Sequence, residues 1–130
     1  MVGHHPGAVA ANLVTNKIYV ANQAVNTVTV IDGTSDSVVG TMSLGSKPQA
    51  IAIDSTTHKV YVISTHESTA TILDGIHNSK LGTVQTEKAP FAIAVNSQTH
   101  AAVALSLDGQ LTLIDGNTLA TSSPVMPDER

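Results

Sequence analysis

Pro6, Pro48 and Pro90 stand 42 residues apart, and each leads an apolar run of the same shape: Ala8-Val9-Ala10-Ala11, Ala50-Ile51-Ala52-Ile53 and Ala92-Ile93-Ala94-Val95. Thr15, Thr57 and Thr99 keep the step. Next come Lys17-Ile18-Tyr19-Val20, Lys59-Val60-Tyr61-Val62 and the weaker Ala101-Ala102-Val103-Ala104. An alternating segment follows in each unit, Thr27 to Ile31, Thr69 to Leu73 and Gln110 to Ile114, and all three end in Asp-Gly, at Asp32-Gly33, Asp74-Gly75 and Asp115-Gly116. A fourth segment closes the first two units, Ser37 to Leu44 and Lys80 to Thr86. A fixed period of this length constrains the fold more tightly than any local assignment, because each unit must be one supersecondary element stacked on its neighbours.

Every segment is short, rich in Val, Ile and Thr, and bounded by Gly, Asn, Asp or Pro, which predicts antiparallel strands. Four strands in a unit of about 40 residues are the mark of a propeller blade, since solenoids of that period are mostly helical. The expected fold is therefore all-β: a β-propeller of four-stranded antiparallel blades, three to the chain, at approximately residues 4–46, 47–88 and 89–130. The first and second segments are apolar almost without alternation, as strands covered on both faces must be. The third alternates and the fourth is polar. That order puts the first strand at the central axis and the fourth at the wet rim. The Asp-Gly pairs are expected to turn the chain between the third and fourth strands, Gly by accepting positive φ and Asp by bonding its own backbone. Pro124 and Pro127 predict a short, edge or frayed fourth strand in the last blade.

The run Ile18-Tyr19-Val20-Ala21-Asn22, followed by Asn26-Thr27-Val28-Thr29-Val30-Ile31-Asp32-Gly33, resembles the YVTN family of β-propeller repeats. The likeness is strongest in the first unit, holds in the second, and fades in the third, where Val103 replaces Tyr and Ala101 replaces Lys. It implies a periplasmic, cell-surface or extracellular propeller used for recognition, similar to archaeal surface-layer and bacterial periplasmic propellers. Some related propellers are lactonases and lyases that work at the mouth of the central channel.

Propellers have four to eight blades, and a blade buries its faces only against neighbours. Three blades leave two apolar faces uncovered, and two chains joined head to tail would make six. A homodimer closing a six-bladed ring is the expected partner arrangement; the alternative is that these 130 residues belong to a longer chain. Composition narrows the other partners. With six Lys or Arg against ten Asp or Glu and a net charge of −4, no basic stripe exists for a phosphate backbone, and Tyr19, Tyr61 and Phe91 are too few to stack bases. Nucleic acid is thus not expected. Neither is a membrane span, since no apolar run approaches the required length. Cysteine is absent, which excludes thiolate catalysis and disulfides. Met1 to His5 carries no charged-then-apolar export signal.

Loops before strand one and between strands two and three share one end of a blade, where propeller ligands enter. The candidate ligand-binding residues there are His5, Lys47, Lys88 and Asn22, suited to a small molecule or a cell-surface partner. His66 and Glu67 are the candidate catalytic pair, and His4, His5 and His66 the candidate ligands of a divalent metal, because imidazole and carboxylate together hold such an ion with a position open for water. Two readings follow: a non-catalytic binding or scaffold module, or a metal-assisted hydrolase such as a lactonase at the same mouth. For His66 and Glu67 the competing reading is a pair of solvated loop residues. His58 and His100, which take the place of Asn16 in later units, read as turn residues.

Overall fold

The computed structural model describes residues 6–44, 47–77, 79–107, 109–119 and 121–122. They form three sheets in chain order. The first holds β1 (Pro6–Asn12), β2 (Lys17–Asn22), β3 (Thr27–Asp32) and β4 (Ser37–Ser43). The second holds β5 (Ala50–Asp54), β6 (Lys59–Ser64), β7 (Thr69–Asp74) and β8 (Ser79–Gln85), and the third β9 (Pro90–Asn96), β10 (Ala101–Ser106), β11 (Leu111–Asp115) and β12 (Thr121–Ser122). Each sheet is an antiparallel meander with its strands in sequence order. Equivalent residues pair in equivalent register, Val20 with Thr29, Val62 with Thr71 and Ala104 with Thr112. β1 packs beside β5 and β5 beside β9, so the first strands run along a common axis. The only helical geometry among the described residues is one 3-10 turn, Gln23–Val25, between β2 and β3.

The core lies between sheets, because a sheet of alternating side chains has two apolar faces to cover. Tyr19, Val28, Val30 and Met42 of the first blade close on Val60, Val62 and Leu73 of the second. Tyr61, Ile63, Ala70 and Ile72 close in turn on Ala102, Ala104 and Ile114 of the third. β6, sandwiched between two neighbours, is buried from Val60 to Ser64, while β9 is half-buried or exposed from Phe91 to Asn96. Burial thus peaks in the second and third strands. The first strands adjoin one another, as their expected place at the axis requires, but they are less covered than expected; Val9, on the outside of the first blade, is 65% exposed.

β4 and β8 form the wet rim. Each carries a register shift opposite β3 or β7, at Val30/Ile31 and Ile72/Leu73, which leaves Val39 and Leu81 as bulged, exposed residues. A bulge breaks the flat ladder that an edge strand would offer to other chains. β12 is two residues long.

The Asp-Gly turns lie between the third and fourth strands, and Asp bonds its own backbone as expected: Asp32, Asp74 and Asp115 accept from the N–H of Thr34, Ile76 and Asn117 at 2.8–2.9 Å. Glycine's role differs from the expectation. Gly33, Gly75 and Gly116 do not have positive φ; the left-handed residue comes three positions later, at Asp36 (φ 56°) and Leu119 (φ 64°). Glycine is required because a carbonyl of its own blade and a tyrosine of the preceding blade close on it. A Cβ on Gly75 would lie 2.6 Å from the His58 carbonyl and 2.6 Å from the Tyr19 hydroxyl, and one on Gly116 would meet the His100 carbonyl and, at 2.6 Å, the Tyr61 hydroxyl.

Candidate functional site

At the end of the blades that carries the loops before strand one and between strands two and three, contacts tie one blade to the next. Gln23 Nε2 donates to Gln49 Oε1 at 3.1 Å, and Thr65 Oγ1 donates to the Pro90 carbonyl at 2.7 Å. Ala89 N donates to Ser68 Oγ at 3.2 Å, and within the third blade Leu107 N donates to the Ala89 carbonyl at 3.0 Å. The result is a braced rim carrying exposed side chains. Lys47 and Lys88 are both exposed, one on each loop that leads into a first strand, and His66 and Glu67 are exposed at the tip of the turn between β6 and β7.

Asn22 has a different setting. It is fully buried, and its Nδ2 donates to Thr27 Oγ1 at 3.2 Å and Thr29 Oγ1 at 2.8 Å, bracing the β2–β3 connection. His4 and His5 lie outside the described residues. Among the described residues, no three His, Cys, Asp or Glu side chains converge as a metal-binding set. His66 and Glu67 therefore stand together as neighbours in one turn, and a metal centred on His66 would take further donors from outside those residues.

The opposite end of the blades carries side-chain pairs that cross from one blade to the next. Asn12, Asp54 and Asn96 end the first strands, again 42 apart, and four residues on stand Asn16, His58 and His100. These last three share the left-handed conformation, φ 58°, 63° and 62°, which fits the turn role expected for the histidines. The structure adds contacts between blades. Asn12 Oδ1 accepts from Val14 N at 3.0 Å, so its amide nitrogen faces outward and donates to His58 Nδ1 at 2.9 Å. Asp54 Oδ1 likewise accepts from Thr56 N at 3.0 Å, but its other oxygen accepts from His100 Nδ1 at 3.0 Å. The same backbone position thus uses Nδ1 in opposite roles: that of His58 accepts from an amide, and that of His100 donates to a carboxylate.

Asp54 is fully buried. Burial pushes its carboxyl up, but the His100 bond and the N–H groups of Thr56 and Thr57 outweigh that and hold it below the usual carboxylate range. Asp74 is also held low, first by the bond from His77 Nδ1 at 2.7 Å, against some desolvation and with help from the N–H groups of Ile76 and His77.

A second set of contacts joins each blade to the turn of the next. Lys17 Nζ donates to the Gly75 carbonyl at 2.9 Å, and the Tyr19 hydroxyl reaches the same oxygen at 3.3 Å. One blade on, Lys59 Nζ donates to the Gly116 carbonyl, with the Tyr61 hydroxyl packed beside that glycine. Burial, reinforced by the charges of Asp54 and Asp115, pushes the Tyr61 phenol up to about 12. Burial and Asp74 raise Tyr19 in the same direction. The 42-residue recurrence of Asn12, Asp54 and Asn96 and of Lys-x-Tyr was visible in the sequence; that these residues act between blades was not.

The geometry is that of a propeller, and solved structures agree. The chain superimposes on Kuenenia stuttgartiensis hydrazine synthase with a TM-score of 0.88 at 15% identity, over 96% of this chain and 36% of that one. It matches the WD40 repeats of RRP9 with a TM-score of 0.82 at 14% identity, over 93% of this chain and 39% of that one. It matches the β-propeller domain of Myceliophteria thermophila Cps50 (Swd1) with a TM-score of 0.81 at 15% identity, over 100% and 40%. At such identities the likeness shows the fold alone: three blades of a β-propeller, spanning two-fifths or less of the length of these chains. No family model and no curated protein matches the sequence. Among the described residues, no helix is long and apolar enough to cross a membrane.

Proposed function

We propose that the chain is a non-catalytic binding or scaffold module built from YVTN-type blades, completed to a six-bladed ring by a second copy, with its ligand at the channel mouth. One observation carries this reading: the two outer faces are the two halves of an interface the chain already makes twice. Val9, Ala11, Ile18 and Ile31 on the outside of the first blade are the repeat counterparts of Ile51, Ile53, Val60 and Leu73, which pack against that blade's inner face. Leu105, Leu111 and Leu113 on the outside of the third are the counterparts of Ile63, Ala70 and Ile72, which pack against its inner face. Both outer faces are apolar and in part exposed, Leu113 at 38%.

Apolar faces of this kind are uncommon on a stable single molecule. Head-to-tail contact between two copies uses both faces on each and closes with twofold symmetry. The braced mouth would then carry Lys47 and Lys88 twice around one opening, favouring an anionic group on the partner. Sedimentation or light scattering of the purified chain tests ring closure. Twice the 13.4 kDa chain mass is expected, and a mass that stays at 13.4 kDa as concentration rises overturns it.

A further inference from the structure

The internal seams and the outer faces differ at one place. At each internal seam a Lys-x-Tyr pair from one blade fills a socket on the next, beside Gly75 and His58 at one and Gly116 and His100 at the other. The first blade carries the same socket on its outer face, at Asn16, Ile18 and Gly33, where a hollow of about 170 Å³ opens. The third blade would supply the filling residues at a seam between copies, but at the Lys and Tyr positions it has Ala101 and Val103. There its face shows a further hollow, of about 310 Å³, lined by Asn96, Ala101, Val103 and Leu113.

Resting on the ring-closure reading above, we infer that each seam between two copies holds a binding site for a small phenol. The site is formed by Asn16, Ile18 and Gly33 of one copy and Asn96, Ala101 and Val103 of the other. The ring of the ligand takes the space that Tyr19 and Tyr61 occupy at the internal seams. Exchanging Tyr for Val removes an aromatic ring from an otherwise repeated interface, and the surroundings relax only partly around such a loss. An apolar cavity of about 150 Å³ is large enough to bind benzene. Polar groups at the end of this space select the hydroxyl: the Gly33 carbonyl stands where the Gly75 carbonyl accepts from Tyr19, and Asn16 and Asn96 stand where His58 and Asn12 meet. A hydrocarbon of the same shape would leave those groups without a partner, so a phenol is preferred over its deoxy analogue.

The test uses 4-methylphenol, the side chain of tyrosine as a free molecule, with toluene as its deoxy analogue. Dimer dissociation is measured by sedimentation with each, on the natural chain and on Val103→Tyr. With 4-methylphenol at about ten times its Kd, dimer dissociation should weaken by roughly tenfold per site by linkage. Toluene should do much less. Val103→Tyr should tighten the dimer unaided and abolish the response to 4-methylphenol. A dimer indifferent to 4-methylphenol, or a Val103→Tyr dimer that responds as the natural one does, overturns the site while leaving ring closure standing. A chain that stays monomeric both as the natural sequence and as Ala101→Lys with Val103→Tyr overturns both.

Discussion

His58 and His100 occupy one backbone position and differ in what their Nδ1 atom meets: an amide from Asn12 in one blade and a carboxylate, Asp54, in the next. The exchange of Asn for Asp is already tolerated in this fold, so Asp54→Asn should keep the Thr56 bond and recreate the Asn12–His58 arrangement. It should cost on the order of 1 kcal/mol by urea unfolding at neutral pH, the difference between a charge-assisted and a neutral bond. Because Asp54 is held below its ordinary value of 3.8, it contributes stability that is present above that value and lost as pH falls through the folded-state value. Asp54→Asn should therefore flatten the acid limb of the stability profile; an unchanged limb would show that other carboxylates set it.

Tyr61 acts at the other end of the pH scale. Its phenol titrates near 12 in the fold against 10.0 when unfolded, so the folded state holds the proton longer. The associated stability is complete below pH 10 and drains away as pH rises toward 12. Thermal melts of Tyr61→Phe over that window should fall less steeply than those of the natural chain. Both residues were legible as repeat members, Tyr61 as part of Lys-x-Tyr and Asp54 by its spacing. Their partners were not, since a repeat records what recurs and not which neighbour it touches.

At the scale of strands and turns, the Asp-Gly pair shows how far local chemistry reaches. The Asp half follows from sequence, because an Asx turn is made within three residues. The Gly half does not, because the crowding at Gly75 and Gly116 comes from His58, His100 and the tyrosines of other turns and blades. Gly116→Ala should destabilise the chain by roughly 1–3 kcal/mol, the usual cost of an added methyl in a close-packed place. Gly109→Ala, in the β10–β11 connection, tests a different cause, its φ being 87°, and should also destabilise the chain although Gly109 has no part in the Lys-Tyr contact. Chemical denaturation of Gly116→Ala alone and combined with Tyr61→Phe separates the causes: relief of the hydroxyl clash should recover part of the loss. The strands themselves were readable from Val, Ile and Thr spacing. Their burial was legible only in part: the first strands' place at the axis follows from the order of polarity, but not that β9 is less covered than the equally apolar β10.

For the whole molecule, the proposed ring closure predicts behaviour in solution. Leu113→Asp places a charge on the outer face of the third blade without entering the internal cores, so the folded monomer should keep its far-UV spectrum while losing its partner. The natural chain should melt at a temperature that rises with concentration, as linkage requires of a dimer, and Leu113→Asp should melt at one that does not. Equal concentration dependence in the two would place the contact elsewhere.

What the sequence determined by itself was the meander and its count: a 42-residue period, strand residues in short runs and turn residues between them are all local, and local preferences survive without knowledge of the neighbours. Tertiary structure alone decided which residues meet across seams. Asn12 and His58 are 46 residues apart, and Lys17 and Gly75 are 58 apart. Their meeting depends on the angle and register at which one sheet is laid on the next, and that is fixed by the packing of Tyr19, Val28 and Val30 against Val60 and Val62.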